Sequence, residues 1–260
     1  MKKWANTAKR SLPGALAVLA VLLLWEALCR VADVAVSKLP PPSAVILSLY
    51  HNASLLAEHS RATLAAVAAG LSLSVLVALA LAVFMDRHSW LKQALYPLLI
   101  ISQTIPIIAL APLFLIWFGL GLTSKIVVVA LVCFFPMAIN LVEGLEQVDP
   151  ETINLLKVMQ AGPAMIFRSA QLPAVLPYFF SGLKIAATYS VMGAVIGEWL
   201  AARWGLGVFM LRSMRSYQTA NTFAAILVVV VLSLLLFKLT ELAAWLAMPW
   251  HRHKSVYPEE

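Results

Sequence analysis

Charge is scarce in this chain: only 12% of its 260 residues are Asp, Glu, Lys or Arg, against roughly 25% in an ordinary soluble domain. With 62% hydrophobic residues and a mean hydropathy of +0.89, the composition excludes a water-soluble globular protein and predicts an all-α, polytopic membrane protein. Cysteine is nearly absent. Cys29 and Cys133 both fall in apolar runs without a Cys-x-x-Cys partner, so neither a disulfide nor a metal site is indicated, and packing is the role they suit. No Gly-x-x-x-x-Gly-Lys-Ser/Thr sequence occurs, which excludes a P-loop for nucleotide phosphates. The apolar runs also lack the chain of Asp, Glu or His expected of a proton-coupled carrier or an intramembrane enzyme; Glu26, Glu143 and Glu241 are isolated. No basic stripe with interleaved aromatics points to nucleic acid, and the net charge of +7 suits anionic membrane lipid. No metal or other cofactor is expected. His251-x-His253 has metal-ligand spacing, but Arg252 and Lys254 beside it favour a solvated basic tail.

What the chain has in abundance is long apolar sequence. Stretches at 13–32, 62–85, 94–118, 125–146, 174–199 and 221–248 each reach the ~18–20 residues needed to cross a bilayer. Six spans put both termini on one side. The first resembles a secretory signal, yet no small-residue cleavage motif follows it, so it is expected to remain as an anchor. Lysine and arginine placement favours a cytoplasmic amino terminus: Lys2, Lys3, Lys9, Arg10, Arg87 and Lys92 are among a majority that this orientation places inside. Arg203, Arg212 and Arg215 cluster outside.

Residues 33–61 are expected to form an external loop, entered through Leu39-Pro40-Pro41-Pro42, with Ser43 capping a short amphipathic interfacial helix that carries Val45, Ile46, Leu49, Leu55 and Leu56. The second span is rich in Ala, Gly70 and Ser and should be interior. Pro97, Pro106 and Pro112 punctuate the third, with Ser102, Gln103 and Thr104 near its middle. Such a segment either lines a cavity that satisfies its freed carbonyls, or is a kinked dry helix whose hydroxyls bond back to the backbone. In the fifth span Tyr189 is set to face that cluster, Gly193-x-x-x-Gly197 makes a close-packing face, and Glu198 sits near the outer end. Glu198 is either a hydrated carboxylate near the arginines that follow or a group on the solute pathway. Gly205-Leu206-Gly207 reads as a turn.

The most informative segment is polar, at 147–173. Asp149 is a good N-cap, Pro150 suits the first helical position, and Gly162-Pro163 supplies a stop, which predicts a helix over Glu151 to Ala161. A second helix is expected from Pro163, broken by Leu172-Pro173 and Leu176-Pro177. At ~1.5 Å per residue the first helix is too short to span a membrane, and Asp149, Glu151, Asn154, Lys157 and Gln160 keep it out of lipid. Leu155, Leu156 and Met159 give it an apolar strip. It is either a docking element for a partner or a loop helix packed on its own bundle.

Several strings resemble one family. The polar segment is similar to the signature loop of inner-membrane permease subunits of bacterial ATP-binding-cassette importers: Glu-Ala-Ala, three residues, Gly, nine residues, Ile-x-Leu-Pro. Aligned on Leu172-Pro173, the Glu-Ala-Ala positions are Asn154, Leu155 and Leu156, the glycine is Gln160 and the isoleucine is Ala170. The strings Ser102 to Phe114, Trp117 to Gly121, Cys133 to Pro136 and Thr188 to Leu200 are similar to the nitrate, sulfonate and taurine branch, and within it to permeases for the pyrimidine precursor of thiamine. The resemblance spans nearly the whole chain and implies one permease domain over 1–260. It also implies a non-catalytic subunit in the bacterial inner membrane, present as a homodimer, with two copies of an ATPase subunit inside and a soluble solute-binding protein outside. On that reading Asp149, Glu151, Asn154, Leu155, Leu156, Met159, Gln160 and Gly162 meet the ATPase, and Ser102, Gln103, Thr104, Tyr189 and Glu198 serve the solute pathway. Sulfonate, taurine, nitrate and riboflavin are the alternative cargoes. An uncoupled channel, a secondary carrier or an intramembrane enzyme is the alternative of another class.

Overall fold

The computed structural model describes the backbone of residues 2–250, and their side chains except those of residues 2–12, 15 and 201. His251-x-His253 lies outside the described residues. Among them every regular element is a helix. Four helices among the described residues are long and apolar enough to cross a membrane: α3 (Ala53–Arg87), α6 (Leu122–Glu146), the composite Pro163–Leu200, and α11 (Thr219–Ala247). The third expected span is two helices, α4 (Ser89–Ser102) and α5 (Ile107–Phe118), bent by 102°. Expected span 13–32 falls in α1 (Lys2–Val31).

The chain divides into two compact units. The first comprises Met1–His59 and Phe209–Val228. Within it Pro41-Pro42 start α2 (Pro42–His51) with Pro41 as N-cap, so Ser43 sits inside the helix rather than capping it. The cap comes from α1: the Glu26 carboxylate accepts the Ser43 N–H at 3.0 Å and its hydroxyl at 2.8 Å, and pairs with Arg30. Val45 and Ser48 turn inward, while Leu55 and Leu56 belong to α3, because the chain re-enters helix at Ala53. Ser48 donates to Asn221 Oδ1 at 2.6 Å, and the Trp25 and Phe223 rings pack at a tilt of 52° with centroids 5.6 Å apart.

The second unit comprises Ser60–Val208 and Val229–Glu260 and is organised on α6. Against it lies α9 (Leu172–Ala201), whose inward face is made of small residues: Gly182, Ala186, Gly193 and Gly197 are all buried. A Cβ on Gly193 would sit 3.1 Å from Val132 Cγ2, and one on Gly197 would sit 3.2 Å from Lys125 Cα. The Gly-x-x-x-Gly face is therefore a close backbone approach to α6. Gly70 of α3 meets the other side of α6, where a Cβ would lie 2.5 Å from Val129 Cβ. Small residues permit this approach, and dispersion contacts rather than water exclusion hold helices together in lipid. Around the seam Val67, Met85, Val129, Cys133, Met137 and Leu141 form a closed core. Cys133 packs there as expected, its thiol directed at the Ala186 carbonyl oxygen.

The Leu-Pro pairs do not break the chain at the membrane surface. Helix α8 (Pro163–Ile166) passes through a π-helical segment, Phe167–Gln171, straight into α9, with Pro173 in its first turn and Pro177 inside it. The wider π turn gives room where Pro173 lacks an N–H and its ring crowds the preceding turn.

Gly193→Leu is expected to destabilise the fold by about 1–3 kcal/mol through overpacking of the α6 seam. Gly14→Leu, with nothing within 4 Å of its Cβ, should be neutral. Thermal unfolding of the two purified variants in detergent measures the difference.

Candidate functional site

Pro106 cannot donate a backbone hydrogen bond and acts as the N-cap of α5, so the helix interrupted after Ser102 restarts at Ile107 in a new direction. Beside this break the structure opens a cavity of ≈ 400 Å³ between the α4–α5 corner, α6 and α9. Its polar lining is Ser102, Gln103, Asn140 and Tyr189; its apolar lining includes Phe135, Ile139 and Ile185. Ser102 and Thr104 also bond back to the carbonyls of Leu98 and Ile101, both at 2.7 Å. Both sequence alternatives therefore operate here: the hydroxyls satisfy the frayed helix end, and the corner lines a cavity.

The expected pathway residues separate. Ser102, Gln103 and Tyr189 meet at the cavity, whereas Thr104 and Glu198 are not part of its lining. Asn140 is the residue that sequence reasoning missed. It lies one turn beyond Pro136 on α6 and donates from Nδ2 to the Pro136 carbonyl at 2.8 Å, and this Asn-after-Pro pattern inside an apolar run was its visible signal.

Glu198 is 1% exposed, neither hydrated nor at the cavity. Thr63 Oγ1 donates to its Oε1 at 2.9 Å, the Gly207 N–H donates to Oε2 at 2.8 Å, and Thr63 in turn accepts the Leu206 N–H at 2.9 Å. Leu206 and Gly207 open α10 (Leu206–Arg215), so the Glu198 carboxyl group caps that helix from α9. Gly205, at φ +139°, has no Cβ for a steric reason: a Cβ there would lie 2.1 Å from the Glu198 carboxyl carbon. Lys125 is also buried, its Nζ donating to the Trp204 carbonyl at 3.0 Å. The expected Gly-Leu-Gly turn is instead a helix start, with only Gly205 outside α10, and it seats a buried carboxyl group. A glutamate placed nine residues before the second of two paired glycines is the signal for it.

The polar segment holds a short helix, α7 (Pro150–Val158). Asp149 caps it, accepting from Thr152 Oγ1 at 2.7 Å, from the Glu151 N–H at 3.0 Å and from the Thr152 N–H at 3.1 Å. These donors, the Thr152 hydroxyl first, hold its carboxyl below the usual carboxylate range. The helix ends three residues before Ala161. The Ala161 N–H bonds to Leu156 O and the Gln160 N–H to Lys157 O, a Schellman closure that requires a left-handed residue at the second of the three positions. That residue is Gln160, at φ +58°, the position where the family signature has glycine. The backbone conformation that glycine favours is kept while the residue is not. Gly162 then extends into the Gly-Pro corner.

The exposed apolar strip on α7 consists of Leu155, Val158 and Met159, at 61%, 81% and 69% exposure. Leu156 is half-buried. The spacing explains this correction to the expected strip: residues i, i+3 and i+4 share a face, and Leu156 falls on the side of Ile153.

Gln160→Gly is expected to stabilise this turn by about 1 kcal/mol, the scale of the left-handed penalty for a residue with a Cβ. Hydrogen exchange at the amides of residues 159–161 should slow correspondingly, and no change would contradict the assignment.

A family model described as "Binding-protein-dependent transport system inner membrane component" matches residues 70–246. The formylaminopyrimidine transport permease protein ThiX of Halalkalibacterium halodurans is 35% identical over 234 residues, covering 90% of this chain and 94% of that protein. The riboflavin transport system permease protein RibX of Chloroflexus aurantiacus is 33% identical over 232 residues, covering 88% and 87%. A crystal structure of an amino acid ABC transporter with histidines shares the fold, with TM-score 0.52 at 20% identity over 76% of this chain and 96% of that one. The matched residues include the broken helix, α7 and the α6–α9 seam, and the chain belongs to the family of binding-protein-dependent transport system inner membrane components, the permease subunits of ATP-binding-cassette importers.

Proposed function

We propose that this multi-pass inner-membrane permease subunit works as a homodimer with both termini in the cytoplasm, residues 1–260 acting as one permease domain. It moves a small solute, handed over by an external binding protein, along the cavity lined by Gln103 and Tyr189. Like its relatives it is a transport component and not an enzyme; a separate ATPase subunit, two copies per dimer, supplies the energy. The cargo this reading favours is a pyrimidine precursor of thiamine, supported by the 35% identity over nearly all of both chains to a formylaminopyrimidine permease.

One observation carries the reading. Helix α7 is capped at both ends by its own polar groups and yet exposes Leu155, Val158 and Met159 outward. An element that needs nothing from its neighbours to form, and turns its apolar strip away from them, is suited to seat in a partner's groove. Through the Gly162-Pro163 corner it is continuous with α8, the π segment and α9, so a push on α7 has a helical path to Tyr189. Nucleotide-driven movement of the ATPase pair would then rock α9 and open the cavity alternately to either side.

Cysteine placed at Leu155 or Met159 should crosslink to the ATPase subunit. Crosslinks confined to the permease, or labelling from outside the cell, would contradict docking. Gln103→Leu should reduce uptake at unchanged membrane abundance, because a hydrogen bond lost to a desolvated solute costs about 1–3 kcal/mol. Undiminished uptake would remove Gln103 from the pathway.

A further inference from the structure

The cavity beside the helix break has a lining that selects among cargo classes. Not one Lys, Arg, His, Asp or Glu is among its lining residues. Its polar groups are all neutral and of the kind that both donate and accept: two carboxamides, Gln103 and Asn140, a phenol, Tyr189, and the hydroxyl of Ser102. The Ser102 proton is committed to Leu98 O and one Asn140 N–H to Pro136 O. The Gln103 amide, the Tyr189 hydroxyl and the Asn140 carbonyl are left for an occupant. Phe135 and Tyr189 add aromatic faces, and Ile139 and Ile185 complete the wall of a cavity that stays open on one side. The start of α5 borders the cavity through Ile105 and Ile107 and contributes a fraction of a positive charge. That favours a carbonyl oxygen or ring nitrogen but falls short of neutralising a full anion, which would give up part of its hydration against this wall without gaining a counter-charge.

We infer that this cavity sorts solutes by charge: it admits uncharged, ring-bearing compounds rich in hydrogen-bonding groups and rejects anions such as sulfonates, with Asn140 and Gln103 as its specificity-determining residues. The inference rests on the reading of the cavity as the solute pathway. The permease is then a second selective step, independent of the external binding protein. Planar rings stack on Phe135 and Tyr189 while their donors and acceptors pair with the two carboxamides, a pairing that a sulfonate, which only accepts, leaves half unmade.

Substituted-cysteine labelling of the permease–ATPase complex tests this without the binding protein. Ile185→Cys places a thiol on the cavity wall; the native Cys29 and Cys133 are 5% and 0% exposed, and the parent protein supplies the background. Two reagents of similar size are compared, the neutral 2-hydroxyethyl methanethiosulfonate and the anionic 2-sulfonatoethyl methanethiosulfonate, each rate normalised to that with a free thiol in solution. The neutral reagent should react at least tenfold faster. Adding Asn140→Lys, or separately Gln103→Lys at the exposed corner, should bring the ratio close to one. Equal rates in the Ile185→Cys protein, or a ratio that neither lysine changes, would overturn charge sorting while leaving the pathway intact. Labelling by neither reagent, with or without ATP, would instead overturn the pathway reading itself.

Discussion

The close approach of α6 and α9 is the constraint on which the rest of the second unit depends. Bilayer lipid is as apolar as leucine, so two apolar helices gain little from mutual burial and must gain it from contact. Gly193 and Gly197 remove the side chains that would hold the backbones apart, and Val132 and the Lys125 main chain fill the space. The candidate site hangs from this seam. The cavity is framed by residues on both helices, Asn140 from α6 and Tyr189 from α9, and the α7–α8 corner feeds directly into the end of α9.

Backbone groups freed by helix ends and breaks are handled in two ways. At the α4–α5 corner they are satisfied locally, by Ser102 and Thr104 bonding backwards, which leaves Gln103 free at the bend. At the short helices α2 and α10 they are satisfied from a distance, by Glu26 on α1 and Glu198 on α9. Glu26 and Glu198 therefore act here as helix caps. A carboxyl group at a helix start replaces lost hydration with N–H donors and favourable dipole alignment. That explains how buried Glu198 is accommodated beside Gly205 and Gly207.

The helical architecture, five of the six expected spans, counting the bent α4–α5 pair as one, and the capped polar helix were legible in the sequence, because they rest on signals that are local along the chain: run length, caps and proline placement. The Asp149 cap and the Gly162-Pro163 corner stand where residue types alone put them. What was not legible depends on three dimensions. Three prolines in the third span announced irregularity but not a 102° corner, and Leu172-Pro173 looked like a break until a π turn made room for it. Ser43 had the chemistry of a cap but stood two residues past the cap position, and the group that caps α2 lies seventeen residues earlier on another helix. Leu156 was placed on the strip because it lies three residues before Met159, yet it lies equally three residues after Ile153, and the fold turns it toward that half-buried side. Asn140 carried a signal, an asparagine one turn after Pro136 inside an apolar run, but that pattern equally suits a local bond to the Pro136 carbonyl, and only the cavity beside it shows a second use.

The central claim is that solute movement through this chain is driven by a partner's ATP hydrolysis acting through α7, since no described span carries a relay of ionisable groups. Its most direct test is solute accumulation in proteoliposomes holding the permease, its ATPase and its binding protein, with ATP present or withheld inside and with or without an imposed pH difference. Accumulation only with ATP is the expected result, abolished or slowed when Val158 on the exposed strip is changed to Asp, because a charge there opposes burial in the partner's groove. Accumulation driven by the pH difference alone would contradict the account.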